Sequence, residues 1–207
     1  MKILNLYAGI GGNRKLWGNE HEITAVENVP EIAKIYQDFF PNDIVIVTDA
    51  HQYLLEHYKE FDFIWSSPPC PSHSRVRKIT EHQNKPIYPD MKLYEEILFL
   101  EGYFKGKWVV ENVISWYNPL VRPFQYKKHY YWANFIIDGK KEAFRGHYLL
   151  NSGLQEIKGF NLDNYSTKED KKKILRNCVE PEAGLFVFNS AFKSKQKTLN
   201  KTSQEIK

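Results

Sequence analysis

Residues 65–74 of the sequence read Trp-Ser-Ser-Pro-Pro-Cys-Pro-Ser-His-Ser, and the fold follows from what stands around them. The apolar run at residues 61–65 predicts a short buried strand, which the two prolines end abruptly. Cys70 is thereby placed on a rigid turn just beyond the carboxyl end of a strand. Because ligands bind at that edge of open α/β sheets, Cys70 is a candidate nucleophile.

The composition indicates a globular protein of one domain. The chain has 207 residues and a mass of 24.5 kDa; 42% of its residues are hydrophobic and 26% are charged. A net charge of +4 allows a polyanionic partner without requiring one. Two cysteines, Cys70 and Cys178, do not make a disulfide framework, and no Cys/His spacing predicts a metal site.

No membrane segment or leader is expected from the sequence. The amino terminus begins directly with a strand pattern, which differs from the pattern of a signal peptide. No apolar run approaches the roughly 20 residues that a membrane helix needs. We therefore expect a cytoplasmic protein with no membrane partner.

Strand and helix patterns alternate along the first half of the chain, which predicts a doubly wound, mostly parallel sheet of the α/β class. Strands are expected at residues 2–7, 21–26, 43–47, 61–65 and 107–110, and helices at 30–40, 52–58, 90–104 and 182–192. The segment 126–137 is strand-rich and predicts an antiparallel edge. Polar, irregular chain is expected at 75–89 and 138–173.

The change of pattern divides the chain into four predicted regions. They are a catalytic and cofactor-binding domain at 1–137, a minimal target-recognition region at 138–174, a returning C-terminal helix at 175–192 and a flexible basic tail at 193–207. A lysine-rich tail of this kind is typical of a frayed terminus. The fold as a whole is expected to be Rossmann-like.

Three successive strand-to-helix turns carry residues that suit a nucleotide-like ligand. The turn at residues 7–12, Tyr-Ala-Gly-Ile-Gly-Gly, lets the backbone approach a ligand closely. Glu27 ends the second strand and could bind ribose hydroxyls, and Asp49 ends the third and could accept from an adenine amino group. A lone carboxylate at such a place is usually a helix cap, but three signals together predict a cofactor that carries adenosine.

A second candidate catalytic residue, Glu111, ends the fifth strand. The fifth strand is expected beside the fourth, so a carboxyl group there could face the same pocket as Cys70. Such a group can hydrogen-bond the Watson–Crick edge of a base, as enzymes that modify bases require. The alternatives are a strand-end cap for Glu111 and a small buried apolar residue for Cys70.

Short motifs follow one another in an order that is typical of one enzyme family: Tyr7-Ala8-Gly9-Ile10-Gly11-Gly12, Glu27, Asp49, Pro69-Cys70, Glu111-Asn112-Val113 and Asn177-Cys178-Val179. Together they resemble the C5-cytosine DNA methyltransferases, whose cofactor is S-adenosylmethionine. The resemblance spans residues 3–137 and 175–192. The Pro-Cys and Glu-Asn-Val pair is its most specific part.

The resemblance implies a Rossmann-like S-adenosylmethionine-dependent methyltransferase fold and a covalent mechanism on a flipped cytosine. Cys70 would attack C6, Glu111 would hold N3 and the exocyclic amine, and the methyl group would go to C5. S-adenosylhomocysteine would be the product. The residues implied to line the cofactor are Tyr7, Ala8, Gly9, Ile10, Gly12, Glu27, Asn28, Asp49, Ala50, Pro69, Leu93, Asn177 and Val179.

The chain departs from the family pattern at several positions. Pro71 follows the cysteine where the family usually has glutamine, and Arg176 stands where glycine usually precedes Asn177. Lys127 and His129 take the places of two arginines, of which His129 would be nearer the base and the thiolate. An imidazolium could still activate Cys70, but its charge would depend on pH near neutrality.

The room for target recognition is small, since only residues 138–174 stand between the His129 segment and the last motif. A short or loosely specified site in double-stranded DNA is therefore expected. The residues predicted to contact nucleic acid are Ser74, Arg75, Arg77, Lys78, Lys171, Lys172 and Lys173. So compact a methylase resembles orphan members of restriction-modification systems from phages or mobile elements. It would act near the nucleoid of a prokaryotic or phage-infected cell.

Several other functions fit the same motifs. RNA could replace DNA, as in the branch of the family that methylates tRNA. Ser67-Pro68-Pro69-Cys70 partly matches the Ser/Asp-Pro-Pro-aromatic motif of amino-methyltransferases, although cysteine replaces the aromatic residue and Glu111 would have no role. A decayed, non-catalytic binder or an enzyme that depends on a partner subunit would explain the small recognition region.

Overall fold

The computed structural model describes residues 1–83, 85–138 and 153–193. The strands of its single sheet are β1 (Lys2–Leu6), β2 (Glu22–Val26), β3 (Ile44–Ile46), β4 (Phe63–Ser66), β5 (Lys107–Val113), β6 (Phe124–Tyr126) and β7 (His129–Ala133). In space the order is β3-β2-β1-β4-β5-β7-β6. The strands from β3 to β5 are parallel, and β7 is antiparallel to both of its neighbours. The predicted α/β class, with a mostly parallel sheet and an antiparallel edge, is confirmed.

Helices cover both faces of this sheet. They are α1 (Pro30–Phe39), α2 (Ala50–His57), α3 (Arg75–Ile79), α4 (Lys92–Tyr103), α5 (Leu154–Lys158), α6 (Lys171–Asn177) and α7 (Pro181–Ala191). Proline at the first position starts α1 and α7, because its fixed φ suits a helix and its missing N–H needs no partner there. The side chain of Asp49 caps α2 by accepting a hydrogen bond from the Gln52 N–H at 2.9 Å.

Two apolar layers hold the helices on the sheet, since alternate strand residues point to opposite faces. On one face, Leu4 and Ile64 pack with Leu100 of α4. On the other, Phe63 packs with Phe188 of α7. All of these side chains are buried, and the two layers fix the carboxyl ends of β1, β4 and β5 relative to one another.

The chain after residue 153 returns to the side of the sheet formed by β1 and α1. Phe160, Leu162 and Ile174 are buried and pack with Ile10 and Ile35 in a third apolar cluster. This packing joins α6 to the glycine turn after β1 and to α1. Two predicted regions lie partly outside the described residues: the recognition region at 139–152 and the tail at 194–207.

Two segments that were predicted to be irregular contain helices. In the segment 75–89, α3 starts at Ser74, whose hydroxyl accepts a hydrogen bond from the Val76 N–H at 3.3 Å. In the segment 138–173, α5 is present and α6 begins at Asp170, whose carboxylate accepts from the Lys172 N–H at 3.0 Å. Both predictions were wrong because helices of five and seven residues are too short to show an apolar period. No helix in the described ranges is long and apolar enough to cross a membrane.

Candidate active site

The turn that carries Cys70 is anchored to the strand beside it. The Asn112 side chain at the end of β5 donates a hydrogen bond to the Pro68 carbonyl at 2.9 Å. The Cys70 carbonyl accepts from the N–H groups of His73 and Ser74, both at 3.0 Å, so that the chain closes into one tight turn. Cys70 is half-buried at the carboxyl edge of the sheet, as its place after β4 predicts.

Burial and a neighbouring carboxylate both oppose ionisation of this thiol. Glu111 lies on β5, which pairs in parallel with β4, and it is 5% exposed. Burial raises the pKa of the Cys70 thiol, and the negative charge of Glu111 raises it further. At neutral pH the resting thiol is therefore protonated, and catalysis needs a way to remove that proton.

Two basic residues that were predicted to be catalytic, Lys127 and His129, contact carboxylates. The His129 Nε2 atom lies 3.4 Å from Glu111 Oε1. Lys127 stands in the β6–β7 turn with φ +49°, and its Nζ atom donates to Glu180 Oε2 at 3.1 Å. Burial alone would raise the pKa of Glu180, but the hydrogen bond and charge of Lys127 outweigh burial and lower it. The role of Lys127 and His129 next to the thiol stays a prediction.

The glycine turn after β1 is held by Glu27, which is 9% exposed. The Gly9 N–H donates to Glu27 Oε2 at 2.9 Å, and the Val29 N–H donates to Glu27 Oε1 at 3.0 Å. Each carboxylate oxygen keeps one lone pair for another donor. Gly9 has φ +54°, and a Cβ atom built there would meet nothing within 4 Å. The turn thus offers open space beside a fixed acceptor.

The C-terminal segment closes on the same turn. A Cβ atom at Gly12 would lie 2.2 Å from the Cys178 sulfur and 2.3 Å from the Val179 carbonyl, so only glycine allows this approach. The buried Lys158 amine donates to the Cys178 carbonyl at 2.6 Å and holds the segment in place. Burial raises the pKa of Cys178 to about 11. The structure therefore brings Cys178 and Val179 to the glycine turn, although they are far from it in sequence.

The remaining predicted cofactor residues lie along the same edge of the sheet. Asp49 uses one oxygen as the cap of α2, and its pKa is lowered mainly by that backbone hydrogen bond. Ala50 and Leu93 are buried in the apolar layer that also contacts Tyr7. Ile10 and Val179 are buried as well, Ala8 is 6% exposed, and Asn28, Pro69 and Asn177 are exposed.

A buried network next to this edge was missed in the sequence. Glu96 of α4 is fully buried and accepts hydrogen bonds from the Tyr7 and Ser66 hydroxyls, each at 2.5 Å, and from His51 Nδ1 at 3.0 Å. It thereby joins the ends of β1 and β4 to α2 and α4. The hydrogen bond to Glu96 raises the pKa of His51, and burial raises the pKa of Tyr7. The partners are 89, 30 and 45 residues away, so no local pattern could have revealed the network.

Replacement of Glu96 by glutamine is expected to lower the free energy of unfolding by about 1–3 kcal/mol, because a buried donor loses its acceptor. Glu101→Gln is the matched control, since this glutamate of the same helix is exposed and should change stability by less than about 0.5 kcal/mol. Chemical denaturation of both variants would measure the difference. Equal losses would contradict the role of the network.

The same network predicts a dependence on pH. Because the pKa of His51 is raised in the folded state, its stabilising effect is complete below the ordinary histidine value and is lost as pH rises through the folded value. The stability difference between wild type and Glu96→Gln should therefore shrink from acidic to alkaline pH. A difference that is constant across this range would contradict the coupling of His51 to Glu96.

The loop after Cys70 is hydrogen-bonded to residues 115–117. The Trp116 N–H donates to the His73 carbonyl at 3.1 Å, and its indole N–H donates to the Ser72 carbonyl at 3.0 Å. His73 Nδ1 is hydrogen-bonded to the Tyr117 hydroxyl at 2.6 Å. Ser74 forms an isolated bridge with Ser115. The nucleophile turn and this segment therefore form one unit.

The residues predicted to contact nucleic acid fall into two groups on separate elements. One group, on α3, consists of Arg75, Arg77 and Lys78. Ser74 caps this helix and bonds to the Cys70 carbonyl, so the group is close to Cys70 in the chain and in space. Arg75 also donates to the Ser115 carbonyl at 3.2 Å. The other group, residues 171–173, forms the first turn of α6. Within it Lys171 donates to the Asp163 carbonyl at 3.0 Å, and Lys173 pairs with Glu169 at 2.6 Å.

Comparisons with known proteins identify the family of this site. The family model described as C-5 cytosine-specific DNA methylase matches residues 1–113, which include Cys70 and Glu111 but not Lys127, His129 or Asn177. No curated protein matches.

Solved structures of methyltransferases are also similar to part of the chain. DNMT2 of Spodoptera frugiperda, in a mutant form, is 27% identical over 54% of this chain and 35% of its own, with a TM-score of 0.41. The methyltransferase EhMeth of Entamoeba histolytica is 14% identical over 55% and 38%, with a TM-score of 0.36. A SAM-dependent methyltransferase of Agrobacterium tumefaciens is 12% identical over 56% and 40%, with a TM-score of 0.39. The alignments thus span less than half of the length of each of these three solved proteins.

The family match covers more than half of the chain and contains the cysteine turn, the Glu-Asn-Val segment and the glycine turn. The fold around them has the strand order described above, with the open glycine turn and the two acceptor carboxylates at one edge. The chain therefore belongs to the C-5 cytosine-specific DNA methylase family.

Proposed function

We propose that the protein methylates C5 of a flipped cytosine in double-stranded DNA, with Cys70 as the nucleophile. One observation carries the proposal: a half-buried thiol just after β4 and a buried carboxylate on the parallel neighbour β5 lie close enough for Glu111 to raise the pKa of Cys70. A thiol and a carboxyl group at the same edge of a sheet can act on one pyrimidine ring. In an amino-methyltransferase, Glu111 would have no such task.

The reaction would proceed through an adduct between Cys70 and the base. Glu111 gives a proton to N3 and holds the exocyclic amine, which makes C6 electrophilic, and the Cys70 sulfur forms a bond to C6. The electron pair that moves to C5 takes up the methyl group. A base then removes the C5 proton, and the electrons of that bond expel Cys70. The cofactor, when bound, supplies an electrophilic methyl group.

The charge of Glu111 bears on where the thiol proton goes. An ionised Glu111 opposes ionisation of Cys70, so the thiolate forms more readily when Glu111 is neutral. Transfer of the Cys70 proton to Glu111 would produce both groups in the form that the attack on C6 requires. The proton would then pass from Glu111 to N3, and no external acid is needed.

The cofactor residues are proposed from the donor set at the sheet edge. Glu27 would accept from ribose hydroxyls with its free lone pairs, and Asp49 would accept from the adenine amino group with its second oxygen. Gly9 leaves room for the ligand, and residues 177–179 close the site from the other side. The chemistry of these groups fits adenosine.

Double-stranded DNA is the proposed partner, with phosphates bound by the α3 group and by residues 171–173. The short recognition region favours a short target sequence or the help of a partner subunit. DNA of a prokaryotic or phage-infected cell, in the cytoplasm near the nucleoid, would be the substrate. We also propose that the protein is an orphan methylase of a phage or of a restriction-modification system.

Identification of the methylated nucleoside tests the proposal. The protein is incubated with tritium-labelled S-adenosylmethionine and a mixed-sequence DNA duplex, and the DNA is digested to nucleosides. Label in 5-methylcytosine is expected. Label in N4-methylcytosine or N6-methyladenine would contradict the role of Cys70. Label in RNA but not in DNA, in a parallel reaction, would overturn DNA as the substrate.

A further inference from the structure

A cleft of about 150 Å³ lies beside the turn of the proposed nucleophile. It is lined by Arg77, Lys78, Glu81, Lys85, Pro86, Ile87 and Trp116. Trp116 is 40% exposed, whereas each of the other four tryptophans of the chain is at most 4% exposed. An indole that is this open to water, next to the proposed nucleophile, is available for contact with a ligand.

The charge of the cleft suits a phosphate. Among the lining residues that the structure describes, three are cations, and the one carboxylate, on Glu81, is paired with Lys78. Lys78 Nζ also lies 6.0 Å from the centre of the Trp116 ring. Arg77 donates a hydrogen bond to the backbone carbonyl of Lys85, and the Lys85 side chain takes no part in this bond. Cations that surround an exposed aromatic ring are the arrangement that binds unstacked nucleotides, with the phosphate on the charges and the base on the ring.

The indole is also held in a fixed orientation. Its N–H donates to the Ser72 carbonyl, and the Trp116 backbone N–H donates to the His73 carbonyl. Ser72 is two residues after Cys70, so the ring is tied to the turn on which the proposed chemistry takes place. A ring whose position is fixed before binding loses little entropy when a base stacks on it.

We infer that this cleft, called here the Trp116 cleft, binds an unstacked nucleotide of the DNA next to the target cytosine. The base stacks on the indole, and Arg77, Lys78 and Lys85 hold the adjoining phosphate. Extrusion of a cytosine breaks stacking with its neighbours, and a neighbour held in the cleft would offset part of that cost. The inference rests on the proposed function for the choice of DNA.

Collisional quenching of tryptophan fluorescence by acrylamide tests the cleft directly. Because Trp116 is the one markedly exposed indole among the five, quenching reports mainly on this ring. Addition of a mixed-sequence DNA duplex is expected to reduce the quenching constant severalfold. Quenching that stays unchanged when the duplex is bound would overturn the inference. Protection by an RNA strand but by no DNA would overturn DNA as the occupant.

Variants separate stacking from charge. Trp116→Ala should weaken binding of a fluorescein-labelled duplex about tenfold in anisotropy, whereas Trp116→Phe, which keeps an aromatic face, should stay within about threefold of wild type. Tyr103→Ala is the control, since this exposed ring on α4 is not part of the cleft. Equal affinities of Trp116→Ala and wild type would overturn the stacking.

Substitution of Trp116 could distort the Cys70 turn, so a second variant tests the cleft without changing this residue. Lys85→Glu leaves the bonds of Trp116 untouched, and it should weaken binding and reduce the slope of log affinity against log salt by about one. Lys105→Glu, at an exposed position between α4 and β5, is the matched control for charge. An unchanged slope for Lys85→Glu would overturn the phosphate contact. These are binding measurements, so failure of methyl transfer with Trp116 still protected would count against the proposed function and not against the cleft.

Discussion

Replacement of Cys70 by alanine is expected to abolish methyl transfer and to leave the fold and cofactor binding intact. Cys70 is the proposed nucleophile, and the other cysteine, Cys178, is buried against the glycine turn with a pKa near 11, so it cannot take over the role. The rate should fall by at least about 10⁴-fold. The substituted side chain is only half-buried, so the free energy of unfolding should change by less than about 1 kcal/mol.

A mechanism-based trap measures the same variant without turnover. A duplex with 5-fluorocytosine at the target position should hold the wild-type protein in a covalent adduct, because the fluorine cannot leave C5 as a proton does. Cys70→Ala should form no adduct on a denaturing gel. Binding of S-adenosylmethionine by calorimetry and the melting temperature serve as controls for the fold. An adduct with the alanine variant, or a rate within tenfold of wild type, would disprove the covalent role.

Glu111→Gln is expected to change two properties of Cys70 in opposite directions. Methyl transfer should fall by about 10²–10⁴-fold, because the group that gives a proton to N3 is lost. The thiol, however, should become more reactive towards alkylating reagents at neutral pH. Glu111 is one of the groups that raise the pKa of Cys70, so its neutralisation lowers that pKa and increases the thiolate fraction.

Alkylation by iodoacetamide, followed by mass spectrometry of the peptides as a function of pH, measures the second effect. Cys178 is an internal reference in the same sample, since it is 8% exposed and should react slowly in both proteins. Glu95→Gln removes an exposed carboxylate and should leave the Cys70 titration unchanged. A titration of Cys70 that stays in place or moves to higher pH in Glu111→Gln would contradict the electrostatic coupling on which the proposed proton transfer depends.

The fold could be predicted because its signals are local. Strands such as β1 and β4 are apolar runs that are followed by glycine or proline, and these two residue types predict a turn after each strand. The parallel neighbours β4 and β5 then place Cys70 and Glu111 at one edge. The short helix α3 could not be predicted, because one capping bond at Ser74 decides it and no apolar period accompanies it.

The parts of the site that the sequence does not reveal depend on distant contacts. Glu96 looks like any other glutamate of an amphipathic helix, yet it is fully buried because hydroxyls and an imidazole from other elements surround it. Lys127 belongs to the segment predicted to be strand-rich, and its pairing with Glu180 depends on how α7 returns to the sheet. Partners 53 residues apart in sequence leave no local trace of their contact.

The raised pKa of Cys70 also bears on the survival of the protein under oxidative stress. Peroxides attack the thiolate form of cysteine, and a half-exposed thiolate would be converted to sulfenic and then to irreversible acids. Since burial and Glu111 keep the resting sulfur protonated, such damage should be slow until a base fills the pocket. The carboxylate that opposes ionisation of the nucleophile would thus preserve it between turnovers.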